Sequence, residues 1–196
     1  RREDPTGVRT DSTYEGYALY EATATNRLGH RVLTQWNYLC GMPSSIEDAN
    51  RQVTTYSYDA LCRMTRADKP GGDFRAFSFL DFGDAQAQRV RRETPGPDGS
   101  PMWKVTYFDG LGRVRRTEKR GAAEGRPVVI EQGYNLRGLQ ASDTAAYYLG
   151  DAPQVTRFEY DVRNRKTATI HPDGHQQRAS YGLGTSVSTD ELGHPV

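Results

Sequence analysis

The chain has little from which to build a core. Valine, isoleucine, leucine and phenylalanine supply 33 of its 196 residues, about 17 per cent, under the roughly 20 per cent that marks chains at risk of disorder. An excess of one charge is missing too, since 26 basic residues nearly cancel 25 acidic ones and leave +1. Disorder wants high net charge as well as low apolar content, so its signature is only half met. The same balance argues against phosphate-led binding of nucleic acid, which needs a larger positive excess. Cysteine is down to two residues and no Asn-x-Ser/Thr sequon occurs, which weighs lightly against an animal ectodomain. There is no run of eighteen apolar residues and no apolar signal segment, so no membrane-spanning helix or export leader is written here. The chain opens in a polar run, Arg1 to Pro5, and stops two residues after a turn signature at His194. It is read as a segment of a longer protein.

What is present is repetition. Tyr56-Ser57-Tyr58-Asp59-Ala60-Leu61-Cys62-Arg63-Met64 is answered by Thr106-Tyr107-Phe108-Asp109-Gly110-Leu111-Gly112-Arg113-Val114, and again by Phe158-Glu159-Tyr160-Asp161-Val162-Arg163-Asn164-Arg165-Lys166. Asn26, Asn37, Asp48 and Asp59 fall eleven residues apart; Asp109, Asn135 and Asp161 fall 26 apart, with Asp190 a further 29 on. Asp or Asn suits the first position of a type I turn, and glycine accepts the positive φ that closes a short hairpin loop. Gly29 and Gly112 hold that glycine position. Ahead of the turn, Val53 to Tyr58 alternates, with Tyr56 and Tyr58 on one face and Thr55 and Ser57 on the other. Trp103 to Phe108 is apolar on both faces and is expected to be covered on both. The fold class is therefore all-β, tandem antiparallel hairpins with a thin core. The twelve tyrosines supply the strand-forming bulk. The longest helical piece expected is two turns, with Ala141 to Tyr147 the one stretch whose alanines favour a turn of helix.

Candidate chemistry is sparse. His171 and His175 have a metal-like spacing, but Pro172 and Gly174 between them make a turn and not a helical face, and metal sites want three or four ligands. Asp81-Phe82-Gly83 mimics a kinase magnesium motif without its companions, and reads as a degenerate repeat turn. If they lie on strands, the neighbours Glu47 and Asp48, like Asp190 and Glu191, point to opposite faces and make no acid–base couple. No Gly-x-Ser-x-Gly elbow occurs. Arg113, Arg115, Arg116, Lys119 and Arg120 crowd together, as do Arg89, Arg91 and Arg92; Glu93 and Glu118 dilute them, and solvated strand faces explain them better than nucleic acid does. No catalytic, cofactor-binding or metal residues are assigned, and no cofactor.

The unit resembles the Rhs or YD repeat: Tyr-Asp, two variable residues, Gly-Arg and an aliphatic. The matches are Tyr58-Asp59 with Arg63-Met64, Phe108-Asp109 with Gly112-Arg113-Val114, and more loosely Tyr134-Asn135 with Gly138-Leu139 and Tyr160-Asp161 with Arg165. Gly41 to Ile46 and His171 to His175 also look like the family. The resemblance covers most of residues 24–196, taken as the array; residues 1–23 are an unassigned lead-in or a degenerate repeat. Cys40 and Cys62 occupy or neighbour the glycine position, and Asn164 replaces it in the third unit.

In such families, which include bacterial Rhs proteins, toxin-complex B and C components and teneurins, the resemblance implies a strip of sheet spiralling into a hollow β-shell. It further implies a secreted bacterial container for a C-terminal toxic polypeptide, partnered by neighbouring repeats, the payload and other toxin-complex subunits. A cell-surface adhesion or carbohydrate-binding module, using exposed tyrosines, is the alternative. Two further expectations follow from spacing and composition. Cys40 and Cys62 sit three residues after Asn37 and Asp59, on turns two strands apart. That is roughly 10 Å, beyond the approximately 7 Å a disulfide spans, so two free thiols are expected. A thin wall cut from its neighbours is also expected to be poorly stable or to aggregate.

Overall fold

A computed structural model describes residues 2–3, 9–122 and 125–195. Of the 1–23 stretch, residues 1 and 4–8 lie outside the described residues. Eighteen strands occur in the described part: β1 (Arg2–Glu3), β2 (Arg9–Tyr14), β3 (Glu21–Asn26), β4 (Arg31–Asn37), β5 (Met42–Glu47), β6 (Val53–Tyr58), β7 (Met64–Asp68), β8 (Phe74–Leu80), β9 (Arg89–Thr94), β10 (Met102–Phe108), β11 (Val114–Lys119), β12 (Val128–Tyr134), β13 (Gln140–Thr144), β14 (Tyr147–Tyr148), β15 (Val155–Tyr160), β16 (Lys166–Ile170), β17 (Gln176–Tyr181) and β18 (Ser186–Thr189). Among the described residues the one helical piece is a 3-10 turn at Pro70–Gly72. The alanine-rich stretch departs from expectation: it forms β13 and β14, because both strands find ladder partners on β12, and pairing overrides helix propensity.

The chain divides into two compact units, Arg1–Ser78 with Arg92–Met102, and Phe79–Arg91 with Trp103–Val196. In the first, β2 through β8 pair antiparallel in chain order. Each eleven-residue step is one strand and one turn. In the second, β10, β11 and β12 pair in order, β12 is flanked by β13 and β14, and β15 to β18 continue from β13. The strands form where alternation wrote them: β6 is exposed at Val53, Thr55 and Ser57 and half-buried at Thr54, Tyr56 and Tyr58.

Successive turns of antiparallel strands alternate between two rims of the sheet, and the rims differ. On one rim of each unit, hairpins close through a register shift at the aromatic before the turn residue, the β17–β18 hairpin excepted. The first unit has these at Tyr14, Trp36 and Tyr58, and the second at Phe108, Tyr134 and Tyr160. This is the bulged rim. On the plain rim, the turns after Thr25, Glu47 and Ile170 close with unbroken register. A bulge puts one extra residue on one strand and sharpens the local twist.

The core is as thin as composition requires. Among the described residues, only Ala67, Val105, Val129 and Ala168 are buried apolar side chains. Burial at roughly 25 cal/mol per Å² of apolar surface therefore has little area to act on, and the fold depends heavily on polar contacts between hairpins.

Candidate functional site

The recurring turn brings charged and aromatic side chains together in both units. Asp59 shows its construction: the Leu61 and Arg63 amides donate to its Oδ1, both at 2.9 Å, its own amide donates to Arg63 O at 3.0 Å, and the Cys62 amide to its carbonyl at 2.9 Å. The side chain occupies sites that water would otherwise fill, which is why a short oxygen acceptor is needed here. Asp109 and Asp161 repeat the pattern. So do Asn26, Asp48, Asn135 and Asp190. Glu15, one methylene longer, does the same job for the β2–β3 turn by accepting the Tyr17, Leu19 and Tyr20 amides.

Three residues after each of these turn starters the backbone enters the left-handed region. Gly112 does so at φ 76°, while Cys62, Arg51, Asn164 and Ala18 do so without glycine's freedom.

The bulged-rim aspartates have an arginine as second partner, where on the plain rim Asp190 Oδ2 has the His194 Nδ1 at 3.3 Å. The guanidinium four residues on closes onto the free carboxylate oxygen: Arg63 Nε to Asp59 Oδ2, Arg113 Nε to Asp109 Oδ2 and Arg165 Nε to Asp161 Oδ2, all at 2.7 Å. Partial desolvation alone would raise these carboxyls. The +4 amide and guanidinium and the +2 amide outweigh it, and all three lie below the usual aspartate value. The arginine then reaches the next hairpin, with Arg113 4.2 Å from the Tyr134 ring centre and Arg165 4.3 Å from that of Tyr181.

The aromatics complete a clasp between hairpins. Tyr58 Oη donates to Pro43 O at 2.7 Å, Tyr134 Oη to Val114 O at 2.9 Å, Tyr160 Oη to Gln140 O at 2.8 Å and Tyr181 Oη to Lys166 O at 2.9 Å. Trp36 Nε1 does the same to Glu21 O at 2.9 Å. The accepting carbonyls belong to residues paired with the preceding hairpin's aromatic, as Gln140 is with Tyr134. Burial pushes the Tyr58 phenol up, which keeps it a donor.

Neighbouring loops of the bulged rim also touch directly, and one such contact overturns an expectation. Arg137 Nη1 donates to Asp161 O at 2.6 Å and to Asn164 Oδ1 at 2.9 Å. In the first unit Tyr17 meets Tyr38 edge-on at 5.6 Å, Tyr20 stacks on Trp36 at 4.6 Å, and Cys40 is disulfide-bonded to Cys62 with Cα atoms 5.3 Å apart. The expected free thiols are therefore wrong. Strands keep their spacing, but loops beyond the last ladder pair lean. The two cysteines, equal in sequence offset, are also unequal in conformation. Asn37 O accepts from both Cys40 and Gly41 amides, and the positive φ falls on Gly41, whereas in the other loop it falls on Cys62 itself.

The remaining candidates resolve into structural roles. Asp81, Phe82 and Gly83 lie in the turns between β8 and β9, where Asp81 receives Arg89. Arg116 pairs with Glu118 at 2.6 Å and Glu131 at 3.3 Å, so the arginine crowd is partly neutralised. His175 Nδ1 lies 2.9 Å from Asp173, which raises its pKa, and His171 lies 3.4 Å from Glu191. Among the described residues no three such side chains gather as a metal site, and no helix is long and apolar enough to cross a membrane.

No family model matches the sequence, and no curated protein does. Solved structures do. A crystal structure of TcdB2-TccC3 superposes with a TM-score of 0.72 at 14% identity, over 93% of this chain and 12% of that one. The fold is that of the Rhs/YD-repeat shell proteins. TcdB2-TccC3-Cdc42 matches with a TM-score of 0.71 at 12% identity, covering 93% of this chain and 15% of that one. The Photorhabdus luminescens Tc holotoxin pore matches at 0.68 and 11% identity, covering 93% and 14%. The chain thus spans about an eighth of the first structure it matches. In the repeat's terms, Tyr is the clasp, Asp the cap and Arg the clamp. Sequence reasoning identified the cap alone; the signal for the others was their fixed position, one before and four after the aspartate.

Proposed function

We propose that the chain is a wall segment of a secreted Rhs-type toxin shell that encloses a C-terminal toxic polypeptide, with no chemistry of its own. The observation that carries this is the superposition on TcdB2-TccC3 over 93% of the chain, joined to clasps that fasten each hairpin to the one before. A wall needs one layer, and continuing repeats cover strand edges that would otherwise pair with other chains. The structures matched include one of TcdB2-TccC3 without its hypervariable C-terminal region, which supports a shell whose C-terminal part varies. Residues 24–196 are read as the array, and the hairpin capped by Glu15 supports reading the lead-in before it as a degenerate repeat. Toxin-complex subunits are the partners, and the location is outside the bacterial cell.

One observation favours the adhesion alternative: Tyr14, Tyr17 and Tyr38 are exposed, and such rings bind sugars. Purifying the full-length protein separates the two readings. A protease-resistant body that co-purifies with its own C-terminal region supports the container. A stable 196-residue monomer with saturable binding on a glycan array overturns it.

A further inference from the structure

Nine of the chain's twelve leucines are exposed, in a protein short of apolar residues. In the second unit the bulged rim sets out Leu111, Leu136, Val162 and Leu183 at its turn tips, each at least 78% exposed. Their hairpins are two strands apart, so the strands that carry the tips repeat with a period of about 10 Å. Rows of this kind on soluble proteins mark contact surfaces.

We propose that this leucine-tipped rim binds the plain rim of a second copy of the array, so that copies stack head to tail. Period is the first reason. A comb of tips is met along its whole length only by a row of gaps with the same spacing, and the plain rim, built on the same strands, has it. Charge is the second. The bulged-rim loops carry Arg113, Arg137, Arg163 and Arg165 against Asp109 and Asp161, while the last two plain-rim turns carry Asp173, Asp190 and Glu191 beside His175, His194 and His171, with no lysine or arginine. Unlike rims attract; two bulged rims would oppose arginines. An interface between different patches does not close on itself in a pair, so it builds open stacks. The inference goes beyond the container reading, because it holds or fails whether or not anything is enclosed.

Two variants of the 196-residue chain test it by sedimentation velocity over a concentration series, with circular dichroism confirming β-structure. In the tip variant, Leu111, Leu136, Val162 and Leu183 become Ser; in the charge variant, Glu191→Lys is joined to Asp173→Asn, which keeps the turn's hydrogen bond. The unsubstituted chain is expected to form an open series of oligomers. Each variant alone is expected to be monomeric, and the two mixed to give a one-to-one dimer, since each keeps the rim the other lacks. Leu136→Ser alone is expected to weaken association about tenfold, which covers the case of a quadruple variant that misfolds. A monomeric unsubstituted chain overturns the inference. So does a charge variant that still self-associates, which means like rims pair, or a tip variant that does, which means strand edges are responsible. Anionic vesicles that bind the unsubstituted monomer but not the tip variant would assign the rim to a membrane instead.

Discussion

Tyr160→Phe isolates the clasp, because it deletes one hydroxyl and leaves the ring and its packing in place. The lost contact is the 2.8 Å hydrogen bond to Gln140 O. An intramolecular hydrogen bond is worth about 0.5–1.5 kcal/mol net. The acceptor is half-buried at the base of the preceding turn, where water replaces the phenol poorly, so a value near 1 kcal/mol or above is expected. For a domain of this size each kcal/mol moves Tm by roughly 2–4 °C. Thermal and urea melts of the substituted and unsubstituted chains measure it, with hydrogen exchange at the Asn135 and Asp161 loops reporting whether the loosening is local. Tyr148→Phe is the control: its ring lies under Arg126, and the change is expected to be neutral within about 0.5 kcal/mol. If Tyr160→Phe is no more costly than this control, the clasp carries no free energy and the polar fastening of hairpins is refuted.

Gly112→Ala meets nothing within 4 Å, so its cost is the backbone's alone, about 1–2 kcal/mol for a left-handed residue with a Cβ; a neutral result in melts would show that the turn relaxes. Removing the Cys40–Cys62 bond, by reduction or by Cys40→Ser with Cys62→Ser, opens a loop with sequence separation 22 and is expected to lose about 3 kcal/mol in the chain-entropy account; a peptide map showing no linked pair under oxidising conditions would end the claim. Asp59, Asp109 and Asp161 have folded pKa values below their ordinary ones, so the stability they lend is full above about pH 4 and is lost as pH falls through the lowered values. Melts from neutral to acid pH should show that loss, and Asp109→Asn with Asp161→Asn should flatten the profile.

The strands and turns were legible because their causes are local. Alternation from Val53 to Tyr58 and the eleven-residue spacing of Asn26, Asn37, Asp48 and Asp59 need no knowledge of the rest of the chain. What went unread is contact between hairpins. That Arg113 reaches Tyr134, or that Tyr160 reaches Gln140, depends on a register shift at the aromatic, and a sequence does not display registers. The disulfide was missed for the same reason in sharper form: Cys40 and Cys62 share an offset, yet the positive φ falls beside one and on the other. Leu111, Leu136 and Val162 fall on the two variable positions of the motif, and no local pattern marks a residue there as a rim tip.

The two-rim arrangement limits how such an array can change length. After the first of each unit, bulged-rim turns carry a tyrosine or tryptophan clasp back to the hairpin before, and the plain-rim turns are joined by ion pairs such as Arg126–Asp151 and His171–Glu191 instead. Deleting or duplicating a stretch with two strands and two turns, such as the 26 residues from Asp109 to Tyr134, leaves each tyrosine facing a carbonyl and each arginine facing a ring. Deleting a single eleven-residue unit reverses the parity of everything downstream: clamps and leucine tips move to the opposite rim, and the clasp at the junction finds no partner. Arrays of this kind are therefore free to lengthen and shorten across evolution, but in even steps of strands, and a lineage that acquires an odd step must acquire a second one to restore the wall.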